Sequence, residues 1–305
     1  MGARLIDRIL ALDNLRPAWE EVRDNGGAGG VDHISLRKWS RTWEERLVTL
    51  ARSVRANTYQ PRPLRRFSLP KKSGGYRHFA IPTITDRVLQ RAVLRVLTPR
   101  CERLFFEHSY GYRPGRSVAD AVRQVVLLRE NGYRWVLDAD VDECFDSLDH
   151  ALIQTFFNQL VTDPITRRLI RQWLLVGRRD PEVPKGIPLG SVISPLLANL
   201  YLHRVDQRLT DFGYRWVRYA DDFCVFTVNQ QRGKQSWRDV AALLTELRLQ
   251  LEPHKTCLTT FDEGFDYLGV HFEGNMYSYL WQDKRIEVKD DFDWLFYDYV
   301  PDGYR

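Results

Sequence analysis

Tyr214-Arg215-Trp216-Val217-Arg218-Tyr219, then Ala220-Asp221-Asp222, then Phe223-Cys224-Val225-Phe226-Thr227 decides the fold. Both flanks are rich in aromatic and β-branched residues, and the short polar segment between them predicts a hairpin with acids at its tip. Strands this apolar belong in a sheet core. Carboxylates at their junction are costly to desolvate unless they bind something. Upstream, Arg134-Trp135-Val136-Leu137-Asp138-Ala139-Asp140-Val141 predicts a further buried strand, and Asp140 lies near its end. Three such carboxylates suit magnesium, which takes one or two protein carboxylates together with substrate phosphates. An Asp-Asp pair in a turn is ordinarily only a turn, so the pair by itself does not settle the chemistry.

Outward from this stretch the chain mixes helices with short strands grouped as hairpins, which suits an α+β class. Residues 1–56 predict helices broken at Asn25-Gly26-Gly27-Ala28-Gly29-Gly30, with Trp39 and Trp43 on one helix face. Arg65 to Pro70 and Tyr76 to Ile81 predict a hairpin turning at Lys72-Ser73-Gly74-Gly75. From Gln60 to Phe79 there are Arg62, Arg65, Arg66, Lys71, Lys72 and Arg77 and no acid. Such a hairpin is either a phosphate-binding surface or a solvated sheet edge guarded by cations. Helices are predicted over 86–97, from Ser117 to Asn131-Gly132, over 147–160 and 163–176, from Ser194-Pro195 to about Phe212, and over 236–247. Phe265 to Phe272 predicts a late hairpin.

Bulk properties narrow the classes. The 305 residues are 44 % hydrophobic and 28 % charged, enough to bury a core, and the net charge is +5. No run approaches a membrane span, and Arg4, Asp7 and Arg8 interrupt the apolar start, which is unlike a signal peptide. Cys101, Cys144, Cys224 and Cys257 are widely spaced and form no metal-ligand pair. They predict reduced, buried thiols in a cytoplasmic protein without a zinc site.

The phrases around the acids resemble reverse transcriptases of the group II intron kind. Tyr219-Ala220-Asp221-Asp222 is similar to that family's active-site motif. Asp138-Ala139-Asp140-Val141-Asp142-Glu143-Cys144-Phe145-Asp146 resembles its first catalytic block. Ser109-Tyr110-Gly111-Tyr112-Arg113-Pro114-Gly115-Arg116-Ser117, Ser194 to Leu202, Leu251 to Thr256 and Phe265 to Phe272 resemble further blocks in the family's order. The resemblance covers roughly residues 15–272.

It implies a right-hand polymerase with fingers and an antiparallel palm sheet packed on helices. Residues 1–60 would be a helical extension, 61–115 and 148–193 fingers, 116–147 and 194–272 palm, and 273–305 a short tail, with the thumb absent or very reduced. It implies two magnesium or manganese ions on Asp140, Asp221, Asp222 and the Val141 carbonyl. Lys71 and Arg77 match residues that hold the incoming deoxynucleoside triphosphate. Phe145 matches the aromatic gate against a 2′-hydroxyl, although its sequence setting alone reads as core. Phe265, Leu268 and Gly269 match the primer grip, with Lys255 nearby, and they too read as a plain apolar hairpin. On the phosphate-binding reading of the basic stretch, Arg65 and Arg66 would meet the RNA template and its primer.

Two departures stand out. The family usually has glutamine where Pro188-Leu189-Gly190-Ser191 has Leu189. Enzymes of diversity-generating retroelements also carry an aliphatic residue there, but they change the proline matched by Pro195, which this chain keeps. After Phe272 only 33 residues follow. They include Trp281, Phe292, Trp294, Phe296, Tyr297, Tyr299 and Tyr304, a tail suited either to docking on a partner or to packing as a hairpin. A chain of this shape resembles the CRISPR-associated class, which works beside a spacer-acquisition integrase. Open alternatives are an intron or retroelement enzyme of another pathway and a non-catalytic nucleic-acid-binding scaffold.

Overall fold

The computed structural model describes residues 4–70, 74–281 and 284–289. Its elements run α1 (Leu5–Ile9), α2 (Leu12–Asp24), α3 (Leu36–Ser40), α4 (Trp43–Arg55), β1 (Arg65–Pro70), β2 (Tyr76–Ile81), α5 (Ile84–Cys101), α6 (Val118–Glu130), β3 (Trp135–Ala139), α7 (Cys144–Ser147), α8 (His150–Leu160), α9 (Pro164–Gly177), α10 (Ser194–Asp211), β4 (Arg215–Tyr219), β5 (Asp222–Thr227), α11 (Gln230–Glu246), β6 (Cys257–Thr260), β7 (Phe265–Tyr267), β8 (Val270–Glu273), β9 (Met276–Trp281) and β10 (Lys284–Lys289). The chain divides into two units, residues 1–104 with 145–201 and residues 105–144 with 202–305.

The first unit is helical around one two-stranded hairpin. β1 and β2 pair antiparallel from Arg65↔Ile81 to Pro70↔Tyr76, and every residue of β1 is exposed. Helix α5 forms the spine, capped by the Thr83 hydroxyl, which accepts from the Asp86 amide. It runs to Cys101, past Pro99, because a proline in the last turn removes only one ladder bond. The buried Asp86 carboxylate accepts from Tyr59 at 2.6 Å and from the Thr83 hydroxyl at 2.7 Å, while Trp173 donates to the Tyr59 oxygen. Burial nonetheless pushes the Asp86 carboxyl above its ordinary range. Trp39 and Trp43 do not share a helix. α3 ends at Ser40 and α4 begins at Trp43, so Trp39 packs on Trp19 while Trp43 meets Arg16.

The second unit carries two antiparallel sheets, of order β4-β5-β3-β6 and β10-β9-β8-β7. Alternation along the strands assigns the faces of the first sheet. Val136, Val217, Cys224 and Phe226 enter one apolar cluster with helix α6 and the second sheet. The opposite face meets α11, where a side chain at Gly233 would stand 2.8 Å from Leu258. α11 begins six residues before the predicted start because Asn229 caps it. The capping box predicted at Ser117 and Asp120 is present. Phe226, Phe261, Phe265, Phe272 and Tyr277 form a chain of ring contacts with neighbouring centroids 5.1–6.3 Å apart. Each such burial contributes roughly 1.5–3 kcal/mol, so this cluster anchors the late strands.

The tail begins as part of that second sheet. Tyr277 and Tyr279 are buried in it, whereas Phe292, Trp294, Phe296, Tyr297, Tyr299 and Tyr304 lie outside the described residues. Cys101, Cys144 and Cys224 are buried free thiols, but Cys257 is exposed, contrary to expectation. It lies on β6, an edge strand with one neighbour only. No helix among the described residues is long and apolar enough to cross a membrane.

Candidate active site

Strand register brings the predicted acids to one end of the first sheet. Ala139 of β3 pairs with Phe223 of β5, so the next row sets Asp140 beside Asp222. Tyr219 pairs with Asp222, which leaves Ala220-Asp221 as a two-residue hairpin loop. Ala220 has φ 58°, a left-handed conformation that favours glycine. Backbone strain of this kind costs on the order of 1–3 kcal/mol and collects at functional sites. Val141 bridges Leu251, and the flanking bonds run from Asp142 N to Gln250 O and from Glu252 N to Asp140 O. In that antiparallel pattern the Val141 amide and carbonyl take no part in the bridge.

The acids crowd one another. Burial pushes the Asp221 carboxyl up, and the Asp140 charge adds to that. Asp138, two rows inward, is raised to about 6, chiefly by burial and further by Asp140, while a contact from the Cys224 thiol opposes the shift. The Lys255 ammonium is hydrogen-bonded to Asp140, which raises its own pKa. One lysine, two-thirds exposed, therefore supplies countercharge to a group of desolvated carboxylates.

No group of three or more His, Cys, Asp or Glu side chains among the described residues stands ready-made as a metal cage. Magnesium is ordinarily held by one or two carboxylates plus substrate phosphates, so Asp140, Asp221 and Asp222 are a donor set that fits it. Their mutual repulsion is what a divalent cation would relieve.

The late hairpin closes on the same sheet. Tyr267, two residues from Phe265, lies with its hydroxyl 3.3 Å from the Val217 carbonyl and 3.4 Å from that of Asp222. Phe265 and Leu268 are buried, and Gly269 is exposed. Leu268 and Gly269 form a two-residue turn with φ 54° and 76°. Two positive values define the hairpin turn that normally takes Asn-Gly, so leucine there is a second strained position.

The remaining predicted residues belong to the first unit. Arg65 donates to the Gly29 carbonyl at 3.3 Å, and Arg66 to the carbonyls of Gly177 and Arg178. Arg77 is exposed on β2. Lys71 lies outside the described residues. The loop bearing Leu189 is held on several sides. The Leu189 carbonyl accepts from Ala80 N at 2.8 Å, at the base of the basic hairpin. The Gln90 side-chain Oε1 accepts from the Ser191 hydroxyl and from Val192 N. The amide of Ile187 donates to the Phe145 carbonyl at 2.7 Å. Phe145, Leu189 and the strand bearing Arg77 are thus joined through one continuous backbone network, with Phe145 buried and Leu189 half-buried.

Residues 69–272 match the family described as reverse transcriptase (RNA-dependent DNA polymerase). The chain belongs to that family. The group II intron-encoded protein LtrA of Lactococcus lactis subsp. cremoris is 36 % identical over 72 % of this chain. Protein YkfC of Escherichia coli K12 is 29 % identical over 79 %. The chain spans 37 % of LtrA's length and 74 % of YkfC's. Among solved structures, apo telomerase from Candida tropicalis, truncated from its C-terminal domain, superposes with a TM-score of 0.54 at 12 % identity, over 78 % of this chain and 59 % of that one. That likeness is one of fold. It agrees with the mixed helices and antiparallel sheets of a reverse transcriptase.

Sequence reasoning misses Asp138, Arg218, Asp206 and Tyr267 as site residues of this reverse transcriptase. Asp138 and Arg218 carry a signal, since each is a charge flanked by apolar residues in the interior of a strand, a position that demands a partner. Asp206 and Tyr267 become visible only when helix and hairpin are placed against the sheet.

Proposed function

We propose that this chain is an RNA-templated DNA polymerase whose Asp140, Asp221 and Asp222, with the Val141 carbonyl, hold two divalent ions, magnesium or manganese. The observation that supports this most is the register that seats Asp140 beside Asp222 at the end of one sheet, with the strained Ala220-Asp221 loop next to it. When bound, two such ions activate a 3′-hydroxyl and neutralise the leaving pyrophosphate of an in-line displacement. The chain's own residues position and select. Asp140, which Lys255 contacts in this structure, would be one of the residues holding a cation, and Lys255 would then be available to a nucleic-acid phosphate. The turn at Leu268-Gly269 lies along the primer, and Phe265 supports it from the core. Arg77 and Lys71 bind the triphosphate, Phe145 rejects a 2′-hydroxyl, Leu189 lies against the nucleotide, and Arg65 and Arg66 face template and primer.

The test is primer extension on a defined RNA template with magnesium. Asp140→Ala and Asp221→Ala are each expected to lower the rate by about 10²–10³-fold or more while template binding and melting temperature hold. Activity persisting in both would overturn the site. Intact template binding with no extension by the wild type would point to a scaffold.

The narrower reading is a cytoplasmic enzyme that copies RNA for CRISPR spacer acquisition beside an integrase. It is supported by the sequence resemblance to the CRISPR-associated class. RNA-derived spacers that disappear with Asp221→Ala, and co-purification with the integrase, are its expected results.

A further inference from the structure

Arg218 is an arginine inside the apolar strand β4, and it is 1 % exposed. Burying a guanidinium is expensive unless every part of it is used. Its Nε and one terminal nitrogen donate to the two oxygens of Asp206, at 2.7 and 2.6 Å, and Asp206 is fully buried on α10. The same nitrogen meets the Ser109 hydroxyl at 2.8 Å. The other terminal nitrogen donates to the carbonyl of Ala220 at 2.8 Å.

The backbone repeats the arrangement. Arg218 N donates to the His108 carbonyl at 2.9 Å, and Tyr110 N donates to the Arg218 carbonyl at 2.8 Å. Gly111 then passes so close to the loop that a side chain there would stand 2.3 Å from Ala220 N. The 108–111 segment and the Arg218 guanidinium thus hold both edges of a loop whose first residue is left-handed and strained.

We propose that Arg218 is a positioning residue for the metal-binding turn: fixed by Asp206 and Ser109, it holds the Ala220 carbonyl and so sets where Asp221 and Asp222 stand. This rests on the reading of those aspartates as metal ligands. It gives the Ser109-Tyr110-Gly111 phrase a task, as the seat of that turn. Arginine is required because only a planar fork reaches the carboxylate and the carbonyl together. A lysine offers one point charge.

The measurement is manganese binding followed by electron paramagnetic resonance on the full chain, beside melting temperature and template-primer affinity. Arg218→Lys keeps a charge for Asp206 and loses the fork. The pair Arg218→Met with Asp206→Leu removes both charges, an exchange buried ion pairs commonly tolerate. Both are expected to melt near wild type, to bind template-primer normally, and to bind manganese about tenfold or more weakly, the equivalent of one hydrogen bond to a charged donor. In primer extension the metal concentration for half-maximal rate should rise in step. If both fail to fold, Ser109→Ala decides, with an expected weakening of about two- to tenfold. Folded variants with wild-type manganese affinity overturn the clamp. Asp221→Asn, measured beside them, separates the two ideas. Should it leave manganese binding unchanged, the metal site itself is wrong and the clamp falls with it. Should it abolish binding while the Arg218 variants bind normally, only the clamp is wrong.

Discussion

Two antiparallel hairpins in this reverse transcriptase use the same backbone geometry for opposite ends. In β4–β5 nearly every side chain is buried, and apart from the exposed Arg215 at its start the charges it contains are paired, strained or crowded. In β1–β2 every residue of the first strand is exposed, and the arginines reach for loop carbonyls or solvent. The difference is one of cost. A charge in the buried hairpin must have a reason, so its function can be argued from energetics. A charge on the exposed hairpin costs little, so only composition speaks for it. The first kind of site is expected to fail abruptly when changed and the second to weaken by degrees.

Phe145 tests that contrast most severely, because it is buried yet assigned to substrate selection. Phe145→Ala is expected to raise ribonucleotide use relative to deoxyribonucleotide use by about tenfold or more, since discrimination by shape is lost where the side chain is removed. As a core residue alone, its truncation would cost about 3–5 kcal/mol of stability and leave the ratio unchanged. Competition between the two nucleotide types on one RNA template, read beside a melting curve, separates these outcomes.

Asp138 sharpens the buried side of the comparison. Its folded-state pKa of about 6 lies above the ordinary value of 3.8. The folded chain therefore binds this proton more tightly than the unfolded chain does. Stability from this group is complete below the ordinary value and falls as pH rises through about 6. In metal-free protein, Asp138→Asn is expected to be more stable than wild type at pH 7.5, by on the order of 1–3 kcal/mol, with the difference gone near pH 4. Denaturant melts in chelator at several pH values check it. A constant difference would show that Asp138 is not the group that titrates.

How legible each region is in the sequence follows the same division. The acids, the hairpin that carries Asp221 and Asp222 and the strand that ends just before Asp140 are all readable, because alternation and desolvation cost act within a dozen residues. Arg218 stands in the same stretch, but its role does not show there. Its partners Asp206 and Ser109 are 12 and 109 positions away, and only tertiary placement joins them. Trp39 and Trp43 fall on separate helices, and a four-residue spacing alone does not reveal the break between α3 and α4. α11 starts earlier than its predicted bounds because Asn229 caps it, and Gly233 within it is a point of close approach to Leu258, which only packing reveals.

The exposed hairpin yields smaller effects. Removing one phosphate-binding cation should flatten the log–log salt dependence of template-primer binding by roughly 0.7–0.9. Arg65→Gln is expected to follow that rule. Arg66→Gln should show less of it, because Arg66 already spends its guanidinium on Gly177 and Arg178, and should instead loosen the hairpin. Equal slopes for wild type and both variants would return β1–β2 to a solvated sheet edge.

Leu189 carries the smallest expected effect and bears on both hairpins' logic at once. It is half-buried in a loop fixed by Ala80, Gln90 and Phe145, so its backbone position is well defined whatever side chain it carries. A leucine at that point can pack on a sugar or base face, but it cannot test hydrogen-bond geometry. A polar site discriminates more sharply, because a wrong partner leaves its groups unpaired. Leu189→Gln is therefore expected to lower the misincorporation frequency and the Michaelis constant for nucleotide by a few-fold, about the worth of one neutral hydrogen bond. The rigid loop means that the exchange should leave the melting temperature unchanged. The check is to sequence DNA copied by both forms from one defined RNA and to titrate nucleotide. If glutamine makes the enzyme neither more accurate nor tighter, the position is one of packing. Leu189 would then belong with the basic hairpin it adjoins, where no single side chain decides the outcome.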